Sequence, residues 1–251
     1  MKSKQSVYSI IPARGGSKGI PGKNIKLLGG YPLISYSVVA STLCENIDRT
    51  IVSTDSEEIA GIAVRYGAEA PFLRPKEFAK DDSPDLDFVL HAIRWFQDNE
   101  GEVPEYIVHL RPTTPLRDAA IIDAAIAEMR KRQEATSLRS GHPVSESIFK
   151  WFLRDESGYF KSIHPDYSNE YINKPRQSFP EVYIPDGYVD VIKTSFVIES
   201  QILHGEKMLG FISPVCHEVD TIKDFEYLEY ELANQGSYLL DYMRKKYPVG
   251  V

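Results

Sequence analysis

Short apolar runs alternate with longer stretches of helical spacing along most of the chain. "SVYSIIPA" (6–13) predicts a first strand, ended by Pro12. "PLISYSVVASTLC" (32–44) carries apolar positions at helical spacing, and "RTIVSTD" (49–55) reads as a second strand. "SEEIAGIAVRYG" (56–67) opens on Ser and Glu and stops at Gly67, which is the punctuation of a helix. A loop rich in Pro and Asp, "FLRPKEFAKDDSPDLD" (72–87), precedes another helical stretch, "FVLHAIRWFQDN" (88–99). A strand follows, "YIVHLRP" (106–112), and then "TTPLRDAAIIDAAIAEMRK" (113–131). Strands alternating with helices predict an α/β fold with a mainly parallel sheet, whose ligands bind beyond the carboxyl ends of the strands.

The pattern changes near Gly141. From there to about Pro185 the text is aromatic and proline-rich, with no clean alternation of long helices and strands. It reads as an insertion, giving one domain built from 1–140 and 186–251 and a small insertion over 141–185. The earlier pattern returns with "YVDVIK" (188–193), "MLGFISP" (208–214) and a last helix, "DFEYLEYELANQ" (224–235).

Composition narrows the classes. At 251 residues, 42% hydrophobic and 26% charged, the chain has the make-up of a globular protein, and no run of about eighteen apolar residues suggests a membrane span. A formal net charge of −7 argues against a nucleic-acid partner, since polyphosphate backbones are bound through net basic surfaces. A small anion held in a local basic pocket stays open. Cys44 and Cys216 show no metal spacing, His91, His109, His142, His164, His204 and His217 show none either, and the first apolar stretch is too short for a signal peptide. The cytoplasm is the expected compartment.

The first strand runs straight into "IIPARGGSKGIPGKN" (10–24), where four glycines accompany Arg14, Lys18 and Lys23. Two phosphate fingerprints nearly fit and then fail: the dinucleotide pattern needs glycine at Arg14, and the P-loop needs glycine at Ser17 and Ser or Thr at Asn24. Two readings remain. The glycines serve turns in a flexible surface loop, or backbone N–H groups and cations converge there on an anion. The order of strand, glycines and cations favours the second, with Lys18 either in the site or merely solvated.

"IPARGGSKGIPGKNI", "IVSTDSEEIA", "FLRPKEFAKDD", "RPTTPLR", "NKPRQSFPEVY" and "VDTIKDFE" follow one another over nearly the whole chain. Together they resemble the motifs of the CMP-N-acylneuraminate synthetases, the acylneuraminate cytidylyltransferases. The resemblance implies a Rossmann-like nucleotidyltransferase fold with a dimerisation insertion, hence a homodimer. It also implies a reaction in which an acidic nine-carbon keto sugar is joined to CMP, with CTP as donor and pyrophosphate leaving. No protein nucleophile is required, because phosphoryl transfer is mostly positioning and charge stabilisation.

By the same resemblance Arg14 and Lys23 hold the triphosphate and its developing charge, Asn24 positions the ribose, and Ala13 and Gly15 flank Arg14 in the nucleotide site. Arg74 lies near the cytosine; the alternative is a surface arginine paired with Glu77 or Asp81. Magnesium is the implied cofactor, held by Asp220 and Glu218 of "HEVDT", with Asp220 also counted among the catalytic residues. The alternative is that these acids only supply negative charge to the start of the following helix. Arg176 and Lys150 match groups that reach the sugar acid, from the neighbouring subunit if the insertion makes a dimer.

Three positions depart from the family pattern. Arg111 stands where glutamine precedes "PTSPLR", and Asp85 where a serine is common. The two are opposite charges in one pocket; an Arg111–Asp85 pair would compensate them, and the sequence leaves that pairing open. Ile184 replaces a second substrate arginine, next to Asp186 in place of asparagine. These changes leave Arg111 and Ile184 as sugar contacts and Asp85 as a nucleotide contact, and they leave open a legionaminate-, pseudaminate- or KDO-type acid instead of N-acetylneuraminate. A nucleotide-binding homologue without turnover is a further alternative, and an NAD-dependent oxidoreductase is disfavoured by the missing first glycine.

Overall fold

Residues 6–16 and 19–248 are described by a computed structural model of the chain. The first strand, β1 (Val7–Pro12), is buried along almost its whole length. After the glycine loop come a small antiparallel hairpin, β2 (Leu27–Leu28) and β3 (Tyr31–Pro32), and the helix α1 (Leu33–Thr42), which is buried on nearly every side. β4 (Arg49–Ser53) leads to α2 (Glu57–Arg65), whose cap is the Ser56 hydroxyl accepting from the Ile59 amide. α3 (Asp85–Glu100) ends at Gly101 in the left-handed region, φ 74°. β5 (Tyr106–His109) and α4 (Ala119–Lys131) complete the first half.

β6 (Ser137–Pro143), the short pair β7 (Phe152–Arg154) and β8 (Phe160–Ser162), the long β9 (Tyr183–Lys193) and α5 (Thr194–Ser200) follow. The chain closes with β10 (Met208–Ile212), α6 (Ile222–Gln235) and α7 (Tyr238–Lys246). The expected last helix is therefore followed by another. Its signal was present as Ser237 before apolar Leu239, Leu240 and Met243, all of which are buried. Among the described residues no helix is long and apolar enough to cross a membrane.

Six strands form one sheet in the order β10-β6-β9-β5-β1-β4. β9 alone runs against its neighbours β5 and β6; the other pairings are parallel. A parallel partner needs a crossover, whereas β9 returns directly from the excursion after β6 and so lies beside it as the second arm of a long hairpin. Alternation along β1 feeds two apolar layers. Val7 and Ile11 face the layer that holds α1, α4, α6 and α7, while Tyr8 and Ile10 face Phe88, Phe96 and Val197 on the other side.

β6 and β9 stay paired out to Pro143 and Tyr183, so the sheet continues into the segment read as an insertion. Residues 144–182 leave it. They carry the β7–β8 hairpin and a small aromatic cluster in which Phe149 meets His164, Tyr167 and Phe179.

The stem is locked by Asp186, whose carboxylate is buried. It accepts from the hydroxyls of Ser140 and Ser213 and from the Tyr188 amide, and His142 Nδ1 lies 3.1 Å away. Burial would raise this carboxyl; the donors outweigh it and hold it below the ordinary aspartate range. A depressed carboxyl stabilises the fold above its unfolded value, about 3.9, and that contribution is lost as pH falls through the lower folded value. Asp186→Ala should cost about 2–3 kcal/mol at neutral pH. In urea unfolding at a series of pH values, its gap from the parent should shrink below about pH 4; a gap that stays constant into acid would assign the loss to packing alone.

Candidate active site

The carboxyl ends of β1 and β5 open into a cleft of about 460 Å³, with the glycine loop on one side and the start of α3 on another. Ala13 is buried, and its amide donates to Ser53 O at 2.9 Å, tying the loop to β4. Arg14 lines the cleft and points a guanidinium nitrogen at Asp81, 2.5 Å away. The Gly15 amide donates to Asp55 Oδ1 at 2.8 Å, so this loop amide is already engaged. Lys18 lies outside the described residues.

Two glycines have specific reasons. A Cβ on Gly19 would stand 2.8 Å from the Asp220 carbonyl oxygen, so the loop can seat on the 218–220 segment only without a side chain there. Gly22, at φ 64°, starts the 3-10 turn Lys23–Ile25. Lys23 Nζ then donates to Val219 O at 2.8 Å and lies 3.6 Å from Asp220 Oδ1. Asn24 is buried and donates from Nδ2 to Arg14 O.

Arg74 is neither a surface residue nor paired with Glu77. It is 6% exposed, bonds Ser53 through Nε and Nη2, and lies over the Phe88 ring at 4.9 Å. Burial lowers its pKa to about 10, with Asp55 and Asp85 opposing, so it stays charged at neutral pH.

Arg111 and Asp85, whose pairing the sequence left open, meet at 2.9 Å, and a second acid joins them: Arg111 Nη1 meets Asp190 Oδ2 at 2.8 Å. Burial opposes the charge on Arg111, but the two carboxylates outweigh it and raise its pKa. Both Nη groups are thus engaged within the chain. Asp190 was not anticipated, although an aspartate inside the otherwise apolar "YVDVIK" strand is itself a signal that a buried partner exists. Beside this pair His109 is fully buried, and burial followed by the charge of Arg111 holds it well below 6.5 and neutral.

Arg117 was also missed. All five of its N–H donors are used: Nε to Tyr188 O, Nη1 to Ser37 Oγ and Thr114 O, Nη2 to Arg111 O and Gly187 O. It binds the loop after β5 to β9 and α1, and burial lowers its pKa to about 10.

Asp220 lines the cleft with its side chain 72% exposed. Glu218 leans over Gly187, where a Cβ would come within 2.5 Å of its Oε1. It is packed on that side and open to solvent on the other; burial raises its carboxyl above the usual range, and the Asp220 charge adds to this. Among the described residues no group of three or more His, Cys, Asp or Glu is placed to hold a metal unaided.

Lys150, Arg176 and Ile184 are not brought to the cleft of their own chain. Lys150 Nζ donates to Lys174 O, Arg176 donates to Val144 O and lines a separate pocket of about 240 Å³, and Ile184 sits on the stem opposite His142.

A family profile described as Cytidylyltransferase matches residues 8–176, a span that holds the glycine loop, Arg74, Asp85 and Arg111. The chain belongs to the cytidylyltransferase family. The CMP-N,N'-diacetyllegionaminic acid synthase of Legionella pneumophila is 42% identical over 123 residues, 48% of this chain and 51% of that protein. The N-acylneuraminate cytidylyltransferase of Escherichia coli is 30% identical over 228 residues, 89% of this chain and 51% of that protein. This chain thus spans about half the length of each of these two relatives. A solved CMP:2-keto-3-deoxy-manno-octonic acid synthetase complexed with CTP superimposes with a TM-score of 0.68 at 16% identity, over 92% of this chain and 99% of that one. That likeness concerns the fold, and it agrees with the α/β, mainly parallel sheet of this chain.

The buried pairing makes a measurable demand. Arg111→Ala removes the cation that hydrogen-bonds the buried Asp190, leaving it Arg139 Nε at 3.7 Å, and should cost up to about 3–5 kcal/mol. Adding Asp190→Asn to that variant should return part of the loss, so the double-mutant cycle in chemical unfolding should show a coupling of about 1 kcal/mol or more. Additive losses would mean that the pair is not a unit.

Proposed function

We propose that this protein activates a nonulosonic, sialic-acid-like keto acid by joining it to the CMP moiety of CTP, releasing pyrophosphate. The observation that carries the reading is the cleft itself. It gathers Arg14, Lys23 and Asn24 from the glycine loop with Arg74, Phe88 and Asp85 at the carboxyl ends of the strands, in a chain of the cytidylyltransferase family. Arg14 and Lys23 take the triphosphate, while Arg74, Phe88 and Asp85 border the space for the base. The anomeric hydroxyl oxygen forms a bond to the α-phosphorus, and the bond from that phosphorus to the bridging oxygen breaks. The electron pair leaves with pyrophosphate and the hydroxyl proton is lost to solvent.

Magnesium fits the acids present. Asp220 and Glu218 crowd like charges beside the cleft, and this ion is commonly held by one or two carboxylates with the remaining positions filled by substrate phosphates and water. When bound it neutralises phosphate charge; the chain's part is to aim Lys23 and the two carboxylates.

The acid's own carboxylate calls for an arginine fork. Lys150 and Arg176 lie outside the cleft of their own chain, which supports a homodimer in which each insertion serves the neighbouring site. The β7–β8 hairpin supports this too. Trp151, Phe152, Leu153 and Phe160 are each at least half exposed, and a two-stranded hairpin is marginal without something to cover it. A cytoplasmic setting belongs to the same reading, supported by Cys44 and Cys216 both being free. Legionaminate-, pseudaminate- and neuraminate-type acids all lie within the class; a KDO-type acid is the nearest alternative outside it.

Pyrophosphate release from CTP and magnesium should appear with at least one acid in a panel of these keto acids, and Lys23→Ala should lower turnover at least about 100-fold while the fold is kept. Release with none of them would leave only nucleotide binding. For the shared site, Arg176→Ala and Lys23→Ala proteins, each inactive, should regain activity on mixing, because one composite site in the heterodimer is intact. No recovery after confirmed subunit exchange would place each site within one chain.

A further inference from the structure

The cleft contains one acid that no nucleotide role explains. Asp81 lines it, 2.5 Å from the Arg14 guanidinium and sixty-seven positions away in sequence. The turn that carries Asp81 is self-bonded: the Lys80 amide donates to Ser83 Oγ, which donates to Glu77 O, and the Ser83 amide donates to Lys80 O. Phe78 at its start packs near His91 of α3, ring centroids 6.0 Å apart. On the other side, Arg14 is followed by Gly15, whose amide is held by Asp55, and its carbonyl accepts from Asn24. The acid and the cation are therefore presented to each other by two separately anchored turns.

An acid fixed beside a group that must bind polyphosphate weakens that binding unless it can be displaced. Displacement is easy here. Both side chains are about one-third exposed, and ion pairs in that setting contribute little. A phosphate offers the same fork more oxygens and more charge than a carboxylate does.

We propose that Asp81 is a specificity-determining residue that acts as the displaceable counter-ion of Arg14. Without ligand it neutralises and aims the guanidinium. A polyphosphate takes its place, whereas a weakly charged anion loses the competition, which is discrimination by a built-in competitor. When pyrophosphate is to leave, the returning carboxylate reduces its retention. The inference rests on the cleft being the triphosphate site.

The test is calorimetric titration of pyrophosphate into the parent, Asp81→Asn, Arg14→Ala and the double variant at low ionic strength. Asp81→Asn should bind pyrophosphate about three- to fivefold more tightly, with an unchanged melting profile, and most of that gain should vanish in the Arg14→Ala background. Unchanged or weaker binding in Asp81→Asn overturns the proposal. So does an equal gain with and without Arg14, which would mean that Asp81 acts only through the overall field. A parent that binds no pyrophosphate would instead bring down the phosphate reading of the cleft, and the exchange with it.

Discussion

Five oxygens converge on the buried guanidinium of Arg117, and the geometry of the cleft depends on that convergence. Four are main-chain carbonyls, from Arg111, Thr114, Gly187 and Tyr188; the fifth is the Ser37 hydroxyl. A charge so deeply buried is tolerated only when every donor is used, and using every donor fastens three parts of the chain together. The loop after β5 is held against β9 and α1. Arg111, Thr113 and the backbone at Gly187, beneath Glu218, are thereby placed relative to one another. A single buried side chain that does not line the cleft sets the frame for those that do.

Around that frame the charges are largely paired. Arg14 meets Asp81, Lys23 lies near Asp220, and Arg111 spans Asp85 and Asp190. The pairs differ in burial, and burial separates their roles. Asp190 is fully buried, so its bond to Arg111 is structural and expensive to break. Arg14, Asp81 and Asp220 are open to water, so their pairs can be exchanged for a ligand at small cost. A protein with net charge −7 can in this way hold cations ready for an anionic ligand without leaving them bare beforehand.

The excursion over 144–182 follows a different logic. Its aromatic cluster is small and its hairpin exposes apolar side chains on both faces, while the stem that carries it is fixed by the buried Asp186 network. A rigid stem beneath an unfinished apolar surface is an arrangement suited to presenting side chains to another surface, and Lys150 and Arg176 sit on that segment.

Much of this was legible in the sequence, for local reasons. Continuous apolar runs such as "YIVH" and the Ser-Glu start of α2 identify buried strands and capped helices without reference to anything distant. The glycine loop announced itself through residue types that suit close approach and negative charge. Opposite charges at Arg111 and Asp85, two departures from one pattern, raised the question of a contact without deciding it. What only the tertiary structure decided depends on separations of tens of residues or more. Arg14 meets Asp81 across 67 positions, Lys23 reaches Val219 across 196, and Arg117 reaches Tyr188 across 71. The direction of β9 belongs here as well, since an apolar run reads the same in a parallel or an antiparallel pairing. Periodicity records which face of an element is buried, but not which distant oxygen or carboxylate waits on that face; that is settled only when the layers pack and every buried polar group must find a partner.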